Sequence, residues 1–244
     1  MKLSNDTLSV FKNFAAINQN LILKAGNVIK TVSDSATIFA QCTIPDTFPD
    51  LGEDGIGIYD LNEFLSVLNL IDDPDLTFED KYILITSSSG RSRIKYYYQD
   101  PDMLTDIPKG IQHPDDIIKF TLDNYTKNRI EKAATLIYKD PLRAEEKAVS
   151  ISPDKNSLVF TVKDSSTMDN NSASNEIAID VPGDFDKSKN FNLSLKVEPL
   201  KKLLPIDYEV SISSLLISKF KSKDGDLNCE YYLPLDRNNS TYGE

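Results

Sequence analysis

The run Ser4-Asn5-Asp6-Thr7-Leu8-Ser9-Val10-Phe11-Lys12-Asn13-Phe14-Ala15-Ala16-Ile17-Asn18 fixes the first structural decision in this chain. Leu8, Val10, Phe11, Phe14, Ala15 and Ile17 share one arc of a helical wheel, with Ser9, Lys12, Asn13 and Ala16 opposite. Asn5 or Asp6 is expected to cap this helix, because a short polar side chain there accepts from the free N–H groups of the first turn. Beyond it the period drops to two. Leu21–Leu23, Val28–Val32 and Thr37–Thr43 read as strands, with Ala25-Gly26-Asn27 and Ser33-Asp34-Ser35 as turns. An acidic loop from Pro45 to Gly55 leads to a strand at Ile56–Tyr59. A second helix, capped by Asp60, gathers Leu61, Phe64, Leu65, Val67, Leu68 and Ile71 on one side and Asn62, Ser66 and Asn69 on the other. Strands at Leu76–Glu79, Tyr82–Ser87 and Arg93–Tyr98 complete the half.

From Asp100 to Pro114 the pattern breaks: Pro101, Pro108, Gly110 and Pro114 stand among acidic residues, as in an exposed linker. The order of elements then repeats. A strand at Ile117–Leu122 precedes a helix at Asp123–Lys139, and strands follow at Ala148–Ile151, Leu158–Lys163, Glu176–Val181 and Phe191–Lys196. A short helix at Glu198–Leu204, with Pro199 in its first turn, leads to strands at Tyr208–Ser213, Leu215–Phe220 and Leu227–Leu233. Asp164–Ser174 is a polar loop. The expected fold class is α+β, built as two topologically similar domains, each with two helices against antiparallel sheets. Its expected bounds are 1–105 for the first domain, 106–114 for the connector and 115–244 for the second.

Net charge is −11, which by itself argues against binding nucleic acid. The distribution says more. Of 27 basic and 38 acidic residues, seven basic and only three acidic ones fall in residues 123–139 and 196–204, the two second-half helical segments with Lys196 just before the second. In the longer of these, Ile130, Ala133, Ala134 and Ile137 share one face, while Arg129, Lys132 and Lys139 gather on the other beside Tyr125 and Asn128. The shorter adds Lys196, Lys201 and Lys202. Each of these side chains alone reads as an ordinary solvated cation. Together they form a basic helical face on an acidic body, suited to phosphates and carrying no sequence information.

Other chemistry is weakly represented. No apolar run approaches the ~18–20 residues a membrane span needs, and no secretory h-region opens the chain. Cys42 and Cys229, far apart in apolar surroundings, read as buried free thiols, with a disulfide the less favoured alternative. Gly52-Glu53-Asp54-Gly55-Ile56-Gly57 lacks the Lys-Ser/Thr ending of a phosphate loop. Asp72-Asp73-Pro74-Asp75 is turn chemistry, without further ligands for a nuclease metal. The single histidine, His113, sits before a proline in the linker, so no catalytic triad or zinc cluster is expected. The reading is a protein with no catalytic residues, no metal and no cofactor.

The opening stretch from Met1 through Asn18 resembles the start of sliding clamps from T-even-type bacteriophages, and Ile58-Tyr59-Asp60-Leu61-Asn62-Glu63-Phe64-Leu65 with Leu68 resembles a second segment of the same family. Asn190–Asp236 matches that family more loosely. The resemblance implies the DNA clamp fold, a homotrimer of six domains around a hole, and encirclement of double-stranded DNA. It implies a tether for a family B DNA polymerase held by its C-terminal peptide, an ATP-dependent clamp loader, and use by late-transcription sigma and co-activator proteins. The setting it implies is the cytoplasm of an infected bacterial host. Lys2 and Lys12 match family lysines facing the hole; Arg129, Lys132, Lys139, Lys201 and Lys202 join them by their helical faces. The partner-peptide pocket of such clamps, beneath the connector and beside the last strand, points to Cys42, Ile44, Pro45, Leu104, Ile107, Tyr232, Leu233 and Pro234. A trimeric virion protein of the tail or baseplate is the rival reading, since duplicated β-rich domains suit that role too.

Overall fold

The computed structural model describes residues 1–138, 147–163, 175–223, 225 and 227–243. Chain contacts divide it into two compact units, Met1–Gly110 with Asp224–Glu230, and Ile111–Lys223 with Tyr231–Glu244.

In the first unit, helix α1 spans Asn5–Ile17 and buries Thr7, Val10, Phe11, Phe14 and Ile17. Its cap is Ser4, which corrects the expectation of Asn5 or Asp6. Ser4 Oγ accepts from the Thr7 N–H at 3.2 Å, and the Ser4 N–H donates to Asp46 Oδ2 at 2.7 Å. That carboxylate fixes Ser4 as the last extended residue, so Asn5 and Asp6 are drawn into the first turn, where a negative charge suits the helix dipole. Helix α2 (Leu61–Leu70) begins as expected at Asp60, whose Oδ1 accepts from the N–H groups of Asn62 and Glu63.

The strands of this unit are short and antiparallel. β1 (Leu21–Leu23) pairs β4 (Ile56–Ile58), β2 (Gly26–Val32) pairs β3 (Phe39–Phe48), and β5 (Asp75–Phe78), β6 (Tyr82–Thr86) and β7 (Arg93–Tyr97) form a three-stranded sheet. A run of rings joins helices to sheets: Phe78 meets Phe48 at 5.9 Å, Phe48 stacks on Phe11 at 6.3 Å, Phe11 meets Phe64 at 6.4 Å, and Phe64 meets Tyr96 at 5.0 Å. Truncating one such fully buried ring typically costs about 3–5 kcal/mol.

Two expectations fail here. β3 does not stop at Thr43 but runs through Pro45 to Phe48. Its register against β2 jumps from Val28↔Thr43 to Gly26↔Phe48, so Pro45 lies in the irregular stretch where its missing N–H costs no ladder bond. And Cys42 and Cys229 are buried, as expected, but are joined in a disulfide, with Cα atoms 4.1 Å apart. Residues 228–230 lie beside β3, where Gln41 Nε2 also donates to Glu230 Oε2 at 2.7 Å.

The second unit contains β8 (Asp116–Leu122), α3 (Asn124–Ile137), β9 (Ala148–Asp154), β10 (Ser157–Lys163), β11 (Glu176–Phe185), β12 (Phe191–Lys196), α4 (Val197–Lys201), β13 (Tyr208–Ser213), β14 (Ile217–Ser222), the part of β15 (Asn228–Pro234) from Tyr231 on, and β16 (Thr241–Tyr242). Strand order runs β16-β12-β9-β10-β11-β8-β13-β14-β15, antiparallel in every pairing whose register is resolved. β11 turns a corner: residues 176–182 pair with β10 and 183–185 with β8. Gly183 makes the corner, since a Cβ there would sit 2.7 Å from Leu158 Cδ1. α3 packs on β9, β10 and β11 and also meets α4, which ends at Lys201, shorter than the sequence suggests.

Candidate functional site

The solvent faces of the helices differ in chemistry. On α1 the exposed stripe is Asn5, Ser9, Lys12 and Ala16, one residue per turn. On α3 it is Tyr125, Arg129, Lys132 and Leu136, with Tyr125 72 % exposed and Leu136 69 %. Arg129 lies over the Tyr125 ring, its guanidinium carbon 5.8 Å from the centroid. Such a contact narrows the wandering of a long cationic side chain and leaves its N–H fork facing solvent. α2 presents Asn62, Glu63, Ser66, Asn69 and Leu70 and no cation. Lys127, one of the basic residues of α3, is instead 2 % exposed, its Nζ 2.8 Å from Glu131 Oε1. A position four residues before Glu131 on the inner edge of the helix favours pairing over solvation.

The remaining expected cations are placed less uniformly. Lys201 is half-buried and pairs with Glu198 at 2.6 Å, and Lys202 is half-buried at the end of α4. Lys132 and Lys201 line a shallow hollow of about 420 Å³ with Glu131, Thr135 and Leu136. Lys2 is exposed and ion-paired with Asp73. Lys139 lies outside the described residues, as does the Asp164–Ser174 loop.

The expected pocket residues separate into two groups. In the first unit, Leu104 and Ile107 line a cavity of about 690 Å³ with Ile22, Val28, Pro101 and Pro108, rimmed by Lys24, Lys30 and Lys109 and by Asp54, Asp102 and Asp106. Val28, 46 % exposed, is aimed outward on β2 beside the register shift at Gly26. The segment over the cavity is built stepwise. Gly57 and Gln99 exchange backbone hydrogen bonds at 3.1 and 2.9 Å, and Asp100 caps a 3-10 turn at Pro101–Met103. Cys42 and Ile44 lie in the core of this unit, and Pro45 is exposed on β3.

In the second unit, Tyr232 lines an open groove of about 1020 Å³ with His113, Lys119, Lys219 and Lys221 among others. Lys219 Nζ is 5.6 Å from the Tyr232 ring centre, and His113 meets that ring edge-on at 6.0 Å. Leu233 is core and Pro234 is exposed. Sequence reasoning missed Ile22 and Val28 as cavity lining. The available signal was Val28 and Lys30 sharing the face of β2 opposite buried Ile29 and Thr31. Among the described residues no group of three or more His, Cys, Asp or Glu is placed to hold a metal ion, and no helix is long and apolar enough to cross a membrane.

The architecture is that of a DNA clamp: the chain superposes on the proliferating cellular nuclear antigen of Entamoeba histolytica with a TM-score of 0.67 over 95 % of both chains, at 12 % identity. It is 31 % identical over 237 residues to the sliding clamp of Vibrio phage KVP40, covering 96 % of this chain and 98 % of that one. Over 114 residues it is 35 % identical to the sliding clamp of Enterobacteria phage T4, 47 % of this chain and 48 % of that one. Residues 4–104 match the family of DNA polymerase processivity factors. The chain belongs to the sliding-clamp family of T4-like phages. The tail or baseplate reading finds no support among these relatives.

Proposed function

We propose that three copies of this chain close into a ring of six domains around duplex DNA, with the exposed faces of α1 and α3 turned to the duplex. The observation that carries this is the stripe Tyr125, Arg129, Lys132 on α3, a cationic face on a chain of net charge −11. Lys2, Lys12, Lys201 and Lys202 supply further cations, those already paired with carboxylates exchanging partners for phosphate. Lys139 joins this set by sequence alone. Contacts limited to phosphates hold DNA without registering its sequence, so the ring slides.

The clamp acts without chemistry of its own. It keeps the polymerase at high local concentration near the primer end, so a released enzyme rebinds before it diffuses away. The polymerase, a family B enzyme, docks its C-terminal peptide in the cavity beneath residues 101–109, with Leu104, Ile107, Ile22 and Val28 taking the peptide's apolar side chains. An ATP-dependent loader opens the ring, and late-transcription proteins engage it in the cytoplasm of the infected bacterium. The test is solution mass together with polymerase stimulation on a primed circular template: a trimer that lengthens products supports the proposal, and a stable monomer at micromolar concentration overturns it.

A further inference from the structure

Residues 105–110, the outer part of the segment over the first-unit cavity, make no backbone–backbone hydrogen bond among the described residues. Side chains hold them instead, at two points. Thr105 Oγ1 accepts from Asn18 Nδ2 and from Asn20 Nδ2, each at 3.1 Å. Four residues on, the Lys109 carbonyl accepts from Lys30 Nζ at 2.9 Å. Ile107 lies between these points, over Val28 and Ile22.

The two attachments are unequal. Asn18 is 4 % exposed and closes α1, its N–H donating to the Phe14 carbonyl at 2.9 Å. Its amide nitrogen also lies 2.8 Å from the Val32 carbonyl and 3.1 Å from Asp34 Oδ1, while its Oδ1 accepts from the Asn20 N–H at 2.9 Å. With two hydrogens among three acceptors, the amide shares one of them in a three-centre bond; Val32 and Asp34 fix its position, and Thr105 is held to a group that does not move. Lys30 to Lys109, by contrast, is an exposed contact that competes with water.

We infer that Asn18, Asn20 and Thr105 form a fixed latch that sets the position of the strap 105–109, and that they are positioning residues for the partner peptide. The inference rests on the docking of that peptide in this cavity and adds how the cavity's outer wall is held. The Thr105 end is the hinge, tied to the C-terminus of α1. The Lys109 end, held by the exposed Lys30 contact and by the chain's continuation through Gly110, is the looser edge. A peptide that enters at that edge closes against a strap already held at its other end, so little ordering is left for binding to supply.

The test is a titration of the full clamp with a synthetic peptide carrying the C-terminal residues of the phage's family B polymerase. Thr105→Val keeps the shape and removes the acceptor, while Asn18 retains Val32 and Asp34 and the fold survives. Affinity falls about tenfold, mostly as faster release, the size expected for lost hydrogen bonds to a positioned wall. Thr105→Ser, which keeps the hydroxyl, restores it. Amide exchange at residues 104–109 speeds up in Thr105→Val and is unchanged in α1. Val28→Asp, which puts a charge on the cavity floor, is the control for the site itself. If Val28→Asp abolishes binding but Thr105→Val leaves affinity unchanged, the latch is overturned and the cavity stands. If neither variant alters binding, the peptide docks elsewhere and both ideas fall.

Discussion

The guanidinium carbon of Arg129 lies 5.8 Å from the centre of the Tyr125 ring, one helical turn earlier on the same exposed face of α3. With Lys132 a turn further on, this makes a short exposed cationic ridge.

That ridge should carry the DNA contact. Arg129→Glu with Lys132→Glu is expected to lower polymerase stimulation about tenfold at moderate salt, since each lost phosphate contact also flattens the salt dependence. Solution mass should not change. Stimulation equal to the parent's would put the DNA-facing side elsewhere.

Lys127 and Glu131 form an ion pair on the buried side of the same helix. Replacing Lys127 by Met should leave stability nearly unchanged, because the methylenes still fill the space and Glu131 can reach water. Glu131→Ala should cost about 3 kcal/mol, since it leaves an ammonium without its partner in a buried position. Thermal melts of the two variants separate these outcomes; equal losses would mean the pair matters only as packing.

Asp46 gives the chain an acid sensitivity with a defined sign. Burial pushes its carboxyl upward, but hydrogen bonds from the Thr7 side chain and from the Ser4 backbone and hydroxyl outweigh this and hold it below the ordinary 3.8. A carboxylate depressed in the folded state stabilises above the unfolded value and loses that contribution as pH falls through the folded one. The parent should therefore melt higher than Asp46→Asn at neutral pH, and the gap should close as the pH drops below 3.8. A gap that stays constant into that range would show that the charge is not responsible.

Gly57 has no room for a side chain. A Cβ there would press on the Gln99 carbonyl and lie 2.8 Å from Leu104 Cδ1. Gly57→Ala should break the bridge to Gln99, displace Leu104 from the cavity and cost about 1–3 kcal/mol. Calorimetry with amide exchange at residues 99–104 checks this, and unchanged protection there would refute it.

The helices were legible because a helix writes its buried face into local spacing. Val10, Phe11, Phe14 and Ile17 in α1, and Phe64, Leu65 and Leu68 in α2, recur every three or four residues and are buried for that reason. The strand Phe191–Lys196 was equally plain from the alternation of Phe191, Leu193 and Leu195 with Asn192 and Ser194. The cap at Ser4 was missed because its decisive partner, Asp46, comes from a strand 42 residues away. Pro45 hid the second half of β3, since a proline is tolerated in a strand only where a register irregularity frees its position.

The sequence by itself determined an α+β chain, the buried faces of its helices and the exposed cations Lys12 on α1 and Arg129 and Lys132 on α3, because these depend on neighbours three or four residues apart. The tertiary structure alone decided that Cys42 meets Cys229 across 187 residues, that Lys127 turns inward, and that Leu104 and Ile107 face Ile22 and Val28 over one cavity. Those outcomes depend on which strands pair and in what register, and a one-residue slip sends every side chain to the opposite face without altering the local pattern.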